Sequence, residues 1–246
     1  YDPFISRGLD AMNYACYQDA RFMIVGTPSG ISLAPEGGAH QSIGTPLIGI
    51  SQPGLLSFEP AFADELALIM NYGFNYLQDE AGGSIYLRLT TRSIDQPMRE
   101  IDNELKNNII KGGYWLKKPG PNPEVIIVYQ GAVAIEAIES TALLGEKFKN
   151  SGVLSITSSD KLFHEWKNQN STSHTELLLE CVPRDTRIIT VIDGHPMTLS
   201  WIGSINGHKT IPLGVSSFGQ TGKVEDLFKE FTIDSQSISN LGFSIN

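Results

Sequence analysis

The sequence of 246 residues predicts an α/β protein with two doubly wound parallel-sheet domains. Three observations carry that prediction. The runs FMIVG (22–26), EVIIVYQ (124–130) and RIITVID (187–193) are almost continuously apolar, as strands covered on both faces are. Segments with helical spacing of apolar residues alternate with them. Between the halves, KKPGPNP (117–123) sets three prolines and a glycine where neither helix nor sheet can continue.

In chain order, Gly8 to Cys16 places Leu9, Met12 and Cys16 at helical spacing. The strand FMIVG leads into Gly26 to Pro46, GTPSGISLAPEGGAHQSIGTP, which is too rich in Gly, Pro and Ser to be helix. A loop of that length is either functional or disordered. Ile31, Leu33, Ile43 and Leu47 punctuate it as an ordered one. Its glycines let the backbone approach a ligand closely. Glu36 and His40 stand among them, beyond the carboxyl end of a strand, where open α/β sheets bind ligands.

Glu59 and Pro60 are read as the start of a helix to about Leu77, with Phe62, Leu66, Ile69 and Met70 on one face. SIYLRLT (84–90) follows as a strand that contains Arg88. Arg92, just past its end, is placed to clamp a carboxylate or phosphate. A first domain is expected at 1–95, a linker at 96–123 and a second domain at 124–246.

In the second domain the strand EVIIVYQ precedes a helix from about Val133 to Lys149, which Gly152 is expected to stop. VLSIT (153–157) reads as a strand, Asp160 as the cap of a short helix, and HTELLLECV as a further helix before RIITVID. Asp193 and His195, at that strand's end, are read as structural or rim residues. A strand near Ile211 to Val215, the turn SFGQTG and a helix from Lys223 to Phe231 with Val224, Leu227 and Phe228 inward complete the pattern. Phe218 is read as packing, and ISNLGFSIN has too little periodicity to assign.

The net charge of −9, with scattered basic residues, argues against a nucleic-acid partner. Cys16 and Cys181 lack a second Cys or His at metal-ligand spacing and are read as reduced core residues, and no residue is assigned to a metal. No apolar run reaches the 18 or more residues of a membrane span, and the start lacks signal-peptide character, so a soluble cytoplasmic chain is expected. The first residue is Tyr, which suits a processed chain or a fragment.

EGGAHQ followed by FEPAFADELALIMNYGF resembles the pyrimidine-binding domain of thiamin diphosphate enzymes of the transketolase and pyruvate dehydrogenase type. NIIKGGYWLKK is similar to the run that joins that domain to the C-terminal domain in homodimeric pyruvate dehydrogenase first components. SFGQTGKVEDLFKEFTID resembles the end of the transketolase C-terminal domain.

This resemblance implies an N-terminally incomplete pyrimidine-binding domain at 1–95 and a transketolase C-terminal-like domain at 124–246. It implies thiamin diphosphate and Mg²⁺ as cofactors of the complete enzyme. Tyr1 and Phe4 would match the aromatics that stack on the pyrimidine ring, or else simply pack a helix start. His40 would stabilise or protonate the reacting adduct, and Glu36 would add a polar contact. Where transketolases carry an aspartate and a histidine, this sequence has Glu36 and Pro28, which agrees better with a small 2-oxo acid than with a sugar phosphate.

The family's activating glutamate and its GDG diphosphate motif do not occur in these residues. The expectation is the C-terminal portion of a 2-oxo acid (pyruvate) dehydrogenase first component, acting as a homodimer with an N-terminal diphosphate-binding domain or partner chain. A lipoyl-bearing acyltransferase is a possible acyl acceptor. Transketolase chemistry and a non-catalytic dimerisation module of the same fold are the alternatives.

Overall fold

In the computed structural model, which describes residues 1–168 and 171–244, two sheets lie along the chain. A 3₁₀ turn at Asp2–Gly8 leads into helix α1 (Leu9–Tyr17). Strand β1 (Met23–Gly26), helix α2 (Thr45–Ser51), strand β2 (Leu55–Phe58), helix α3 (Ala63–Tyr76) and strand β3 (Ser84–Arg88) follow. The strands pair in the order β1-β3-β2, all parallel.

Helix α4 (Asn103–Lys111) and strand β4 (Gly113–Lys117) come next, then β5 (Val125–Gln130), α5 (Ala134–Leu144), β6 (Gly152–Ile156), α6 (Ser159–Asn168), α7 (His174–Leu179) and β7 (Arg187–Ile192). Helix α8 (Met197–Ser200), β8 (Thr210–Leu213), α9 (Val224–Glu230) and α10 (Ser235–Phe243) complete the chain. The second sheet runs β4-β6-β5-β7-β8, parallel except for β4, which pairs antiparallel with β6.

The second sheet is covered on both faces, as its apolar strands require. Along β5, Val125, Ile127 and Tyr129 join one core with Ala137, Leu144, Phe228 and Ile238. Ile126 and Val128, on the alternate face, join another with Leu162, Leu179 and Leu199. In the first sheet, Ile85 and Leu87 pack with Phe58 and Ile69, while Tyr86 faces Met12, Cys16 and Ile48.

Several expectations are corrected. The segment 96–123 contains a capped helix and a strand, because Asp102 accepts from the Leu105 amide at the start of α4 and Gly112 takes a left-handed conformation at its end. β4 then hydrogen-bonds to β6, so the second sheet begins well before Glu124. Pro60 precedes α3 instead of starting it. The buried Glu65 carboxylate accepts from the Ala61 and Phe62 amides at 2.7 and 2.9 Å and defines the start at Ala63.

Gly152 is the first residue of β6, and α5 stops at Leu144. Asp160 lies in the first turn of α6, but its carboxylate accepts from the Ser57 amide of β2 at 2.8 Å, while the Ser158 hydroxyl accepts from the Lys161 amide. Cys16 is buried, whereas Cys181 is exposed, because Leu178, Leu179 and Val182 carry the inward face around the end of α7. α10 occupies most of the unassigned ISNLGFSIN, whose last two residues lie outside the described ones. Among the described residues, no helix is long and apolar enough to cross a membrane.

Candidate functional site

Beyond β1 the chain passes a cis Thr27–Pro28 bond and enters the glycine-rich loop as two short 3₁₀ turns, Ile31–Glu36 and Gly38–His40. Its first end is tied to the second sheet. The amides of Ile31 and Ser32 donate to the two carboxylate oxygens of Asp193 at 2.7 and 3.1 Å, just past β7. Gly30, at φ +72°, lies against that carboxylate, and a Cβ there would stand 2.2 Å from Asp193 Oδ2. The Gly30 amide donates to Ser42 Oγ at 3.1 Å, which brings the two ends of the loop together.

The other end is tied to a buried set of charges. Ser42 and Thr45 donate their hydroxyls to Asp2, the Thr45 bond being 2.7 Å, and Tyr86 donates its phenol to the same carboxylate. Arg88 donates from Nε to Thr45 Oγ1 at 3.0 Å and from Nη1 to Glu59. Its Nη2 donates to the backbone oxygens of Ser42 and Asp193 at 3.1 and 2.8 Å. Gln130, at the end of β5, donates to Glu59 at 2.9 Å.

Asp2, Glu59, Arg88 and Asp193 are all withdrawn from solvent. One cation thus faces three carboxylates. Burial pushes Glu59 up to about 7, against the pull of Arg88 and Gln130, and Asp193 and Asp2 push it further the same way. Burial also raises Asp193, which Arg88 and the two loop amides partly offset.

Between these anchored ends lie the residues expected to react. The rings of Tyr1 and Phe4 meet edge to face at 5.1 Å, and Tyr1 lies 5.9 Å from the His40 ring. Glu36 is close enough to add to the effect of burial in raising the Tyr1 phenol. His40 is half-buried, Glu36 is exposed, and neither side chain has a hydrogen-bond partner among the described residues. Both keep their full capacity for a ligand. Tyr1, Phe4, Glu36 and His40 are therefore brought together.

The tip of the loop packs on the turn after β8 through one side-chain and one backbone hydrogen bond. Gln41 donates to the Gln220 oxygen at 3.1 Å, and the Gly222 amide donates to the Ala34 oxygen at 3.1 Å. A Cβ on Gly38 would stand 2.3 Å from the Gly219 oxygen. The Tyr1 hydroxyl and Gln41 Oε1 are buried without a hydrogen-bond partner. Buried polar atoms of that kind call for a partner. The Tyr1 hydroxyl belongs to the aromatic corner, whereas Gln41 Oε1 lies against Gly219. An aromatic corner with an unsatisfied hydroxyl suits a flat heteroaromatic ring.

Arg92 is not part of this group. It was expected to clamp a ligand anion, but it holds the Glu136 carboxylate with two bonds of 2.7 and 2.6 Å, donates to the Ala132 oxygen and covers the Phe228 ring. The anion it clamps is internal. Phe218, read as packing, is 80% exposed on the turn beside the loop. Asp193 is structural as expected, but its task is to hold the loop. His195 donates its amide to the Ile43 oxygen at 2.9 Å.

Sequence reasoning missed the roles of Asp2, Glu59 and Arg88. The available signal was an arginine inside an apolar strand, since a buried guanidinium requires carboxylate partners. Nothing in the local pattern says which ones. Among the described residues no three His, Cys, Asp or Glu side chains gather as a metal site.

Comparison with known proteins agrees with the fold. The Transketolase-like TK C-terminal domain family matches residues 112–234. The pyruvate dehydrogenase E1 component of Buchnera aphidicola subsp. Baizongia pistaciae is 27% identical over 237 residues, covering 90% of this chain and 26% of the relative. Transketolase 1 of Escherichia coli strain K12 is 25% identical over 236 residues, covering 94% of this chain and 33% of the relative. The chain thus spans about a quarter to a third of the length of these relatives. A solved chain described as a split gene transketolase, inactive beta4 tetramer, superposes with a TM-score of 0.73 at 19% identity, over 99% of this chain and 74% of that one.

Proposed function

The chain belongs to the family of the transketolase-like TK C-terminal domain, and from that premise we propose that it is the pyrimidine-side and C-terminal portion of a thiamin diphosphate-dependent 2-oxo acid dehydrogenase first component. The observation that carries the reading is the convergence of Tyr1, Phe4, Glu36 and His40 at the glycine-rich loop. When bound, thiamin diphosphate supplies the electron sink for cleaving a bond beside a carbonyl. The protein's own part is to bind, orient and move a proton.

Tyr1 and Phe4 offer the aromatic corner for the pyrimidine ring, and the unpartnered Tyr1 hydroxyl offers a polar contact at its edge. His40, its ring free of internal hydrogen bonds, donates to a developing oxyanion or delivers a proton there. Glu36 makes a secondary polar contact. The backbone of Gly37 and Gly38, pressed against the turn at Gly219, keeps this end of the loop in place.

We assign the diphosphate and Mg²⁺ to an N-terminal domain or a partner chain, in keeping with relatives several times longer. A cytoplasmic homodimer belongs to the same reading, as does acyl transfer to a lipoyl-bearing acyltransferase. The split gene transketolase chain, inactive by its own description, favours a chain that works with a second portion. The Escherichia coli relative favours transketolase chemistry as the second reading.

Turnover of 2-oxo acids and of ketose phosphates, assayed in the longest native form with His40→Ala beside wild type, separates these readings. Loss of 2-oxo acid turnover by about 10²-fold or more is expected for a lost acid-base group. Turnover within about threefold of wild type makes His40 structural.

A further inference from the structure

The loop that carries His40 is fixed from outside its own sheet. Asp193 stands at the carboxyl end of β7, in the second sheet, and its two oxygens receive consecutive amides, Ile31 and Ser32, of the loop's first turn. Its backbone oxygen receives Arg88 of the first sheet. Arg88 also holds the Ser42 oxygen and Thr45 Oγ1, at the loop's far end. Asp2, bound to Ser42, Thr45 and Tyr86, lies between Tyr1 and Phe4 in sequence. The same buried set of side chains therefore reaches the aromatic pair and both ends of the reactive loop.

We infer that Asp193 and Arg88 are positioning residues that hold His40 against the Tyr1–Phe4 pair, so that the second sheet sets the geometry of a site whose reacting side chains all come from the first half of the chain. The catalytic consequence rests on the function proposed above. The physical content does not. Stability alone is a poor reason for this arrangement, since buried ion clusters are often less stabilising than apolar packing of equal volume. What it supplies is register. A carboxylate that accepts from two consecutive amides fixes the direction of the turn as well as its distance. The glycine at φ +72° directly before them allows that approach.

The test is nuclear magnetic resonance of the 246-residue chain, in wild type, Asp193→Ala and Asp193→Asn. Two readouts are used: amide exchange at Ile31 and Ser32, and the through-space contact between the Tyr1 and His40 rings. In Asp193→Ala, exchange at both amides should rise roughly tenfold or more, and the ring contact should vanish, while β5 and β7 keep their protection. Asp193→Asn keeps one acceptor oxygen and should restore exchange at one amide to within about threefold of wild type.

Exchange and ring contact unchanged in Asp193→Ala would overturn the inference. So would an equal rise in β5 and β7, which reports general loosening. If Asp193→Ala does not fold, Arg88→Lys carries the same two readouts and should weaken the ring contact, because a single ammonium cannot reach Thr45, Glu59, Ser42 and Asp193 together. An intact ring contact in Arg88→Lys would count against the proposal. These readouts require no cofactor, so a failure of the thiamin reading would leave them standing, and the reverse also holds.

Discussion

Around Arg88 one guanidinium faces Asp2, Glu59 and Asp193, all withdrawn from solvent, whereas the Arg99 guanidinium holds Asp64, donates to the Tyr114 hydroxyl, which in turn donates to Glu65, and remains 14% exposed. Both clusters join the first sheet's elements to the second sheet's, and in both burial raises the affinity of a glutamate for its proton while the arginine opposes it. They differ in what completes them. Glu65 receives the two amides just before α3 and the Tyr114 phenol, so its oxygens are satisfied where it sits, in the first turn of that helix. Glu59 receives Arg88 and Gln130, in a neighbourhood with an excess of negative charge. The Arg99 cluster caps and packs a helix. The Arg88 cluster lies at the strand ends, among the anchors of a loop, where charge serves position more than stability.

Removing the cations should separate the two regions most clearly. Arg88→Met leaves buried carboxylates unpaired and should lower stability to urea by about 3–5 kcal/mol. Arg99→Met, beside a glutamate that keeps its amide partners, should lose only about 1–3 kcal/mol. Equal losses would erase the distinction.

The next effect is pH dependence. Glu59 has a folded pKa of about 7, above the ordinary 4.5, so its contribution to stability is fully present below 4.5 and is lost as pH rises through 7. The loss is on the order of 3 kcal/mol. Asp160, pushed up to about 7 by burial, adds a slope of the same sign. Unfolding midpoints measured from pH 5 to pH 8 should therefore fall, and Glu59→Gln in an Asp160→Asn background should make the curve shallower, leaving the slope of the same sign that the raised Glu65 and Asp193 carboxyls supply. A slope left unchanged by both substitutions would move its origin elsewhere.

Smaller still is the backbone contrast between two loop glycines. Gly30→Ala places a methyl group on Asp193 at φ +72° and should lose about 1–3 kcal/mol, with faster proteolysis of the loop. Gly44, at φ −90° with open space around its Cα, should accept Ala with little change. Similar losses at both positions would show that Asp193 does not hold the loop.

Much of this architecture was legible in the sequence, and for physical reasons. Strands such as EVIIVYQ announce themselves because a sheet covered on both faces admits no polar alternation. The Gly26 to Pro46 loop is visible because its composition forbids regular structure, and Glu36 and His40 stand out among its glycines. β2 and β4 escaped notice because LLSF and GYWLK are short and lie next to Gly or Pro. The charged cluster was illegible for a different reason. Asp2, Glu59, Arg88 and Asp193 are scattered from one end of the chain to the far half, and only the fold brings them together. Arg92 was misassigned because position at a strand end cannot reveal that Glu136, on another helix, already occupies the guanidinium.

The measurement that bears most directly on the account is calorimetric titration of thiamin diphosphate with Mg²⁺ into this chain and, in parallel, into its longest native form. Binding by the longer form, absent or much weaker in the 246-residue chain, is the predicted result. It would mark this chain as the pyrimidine side of a divided cofactor site. Absence of binding by both forms would contradict the account, leaving the ordered loop and its aromatic corner as parts of an assembly module that has kept the fold without the chemistry.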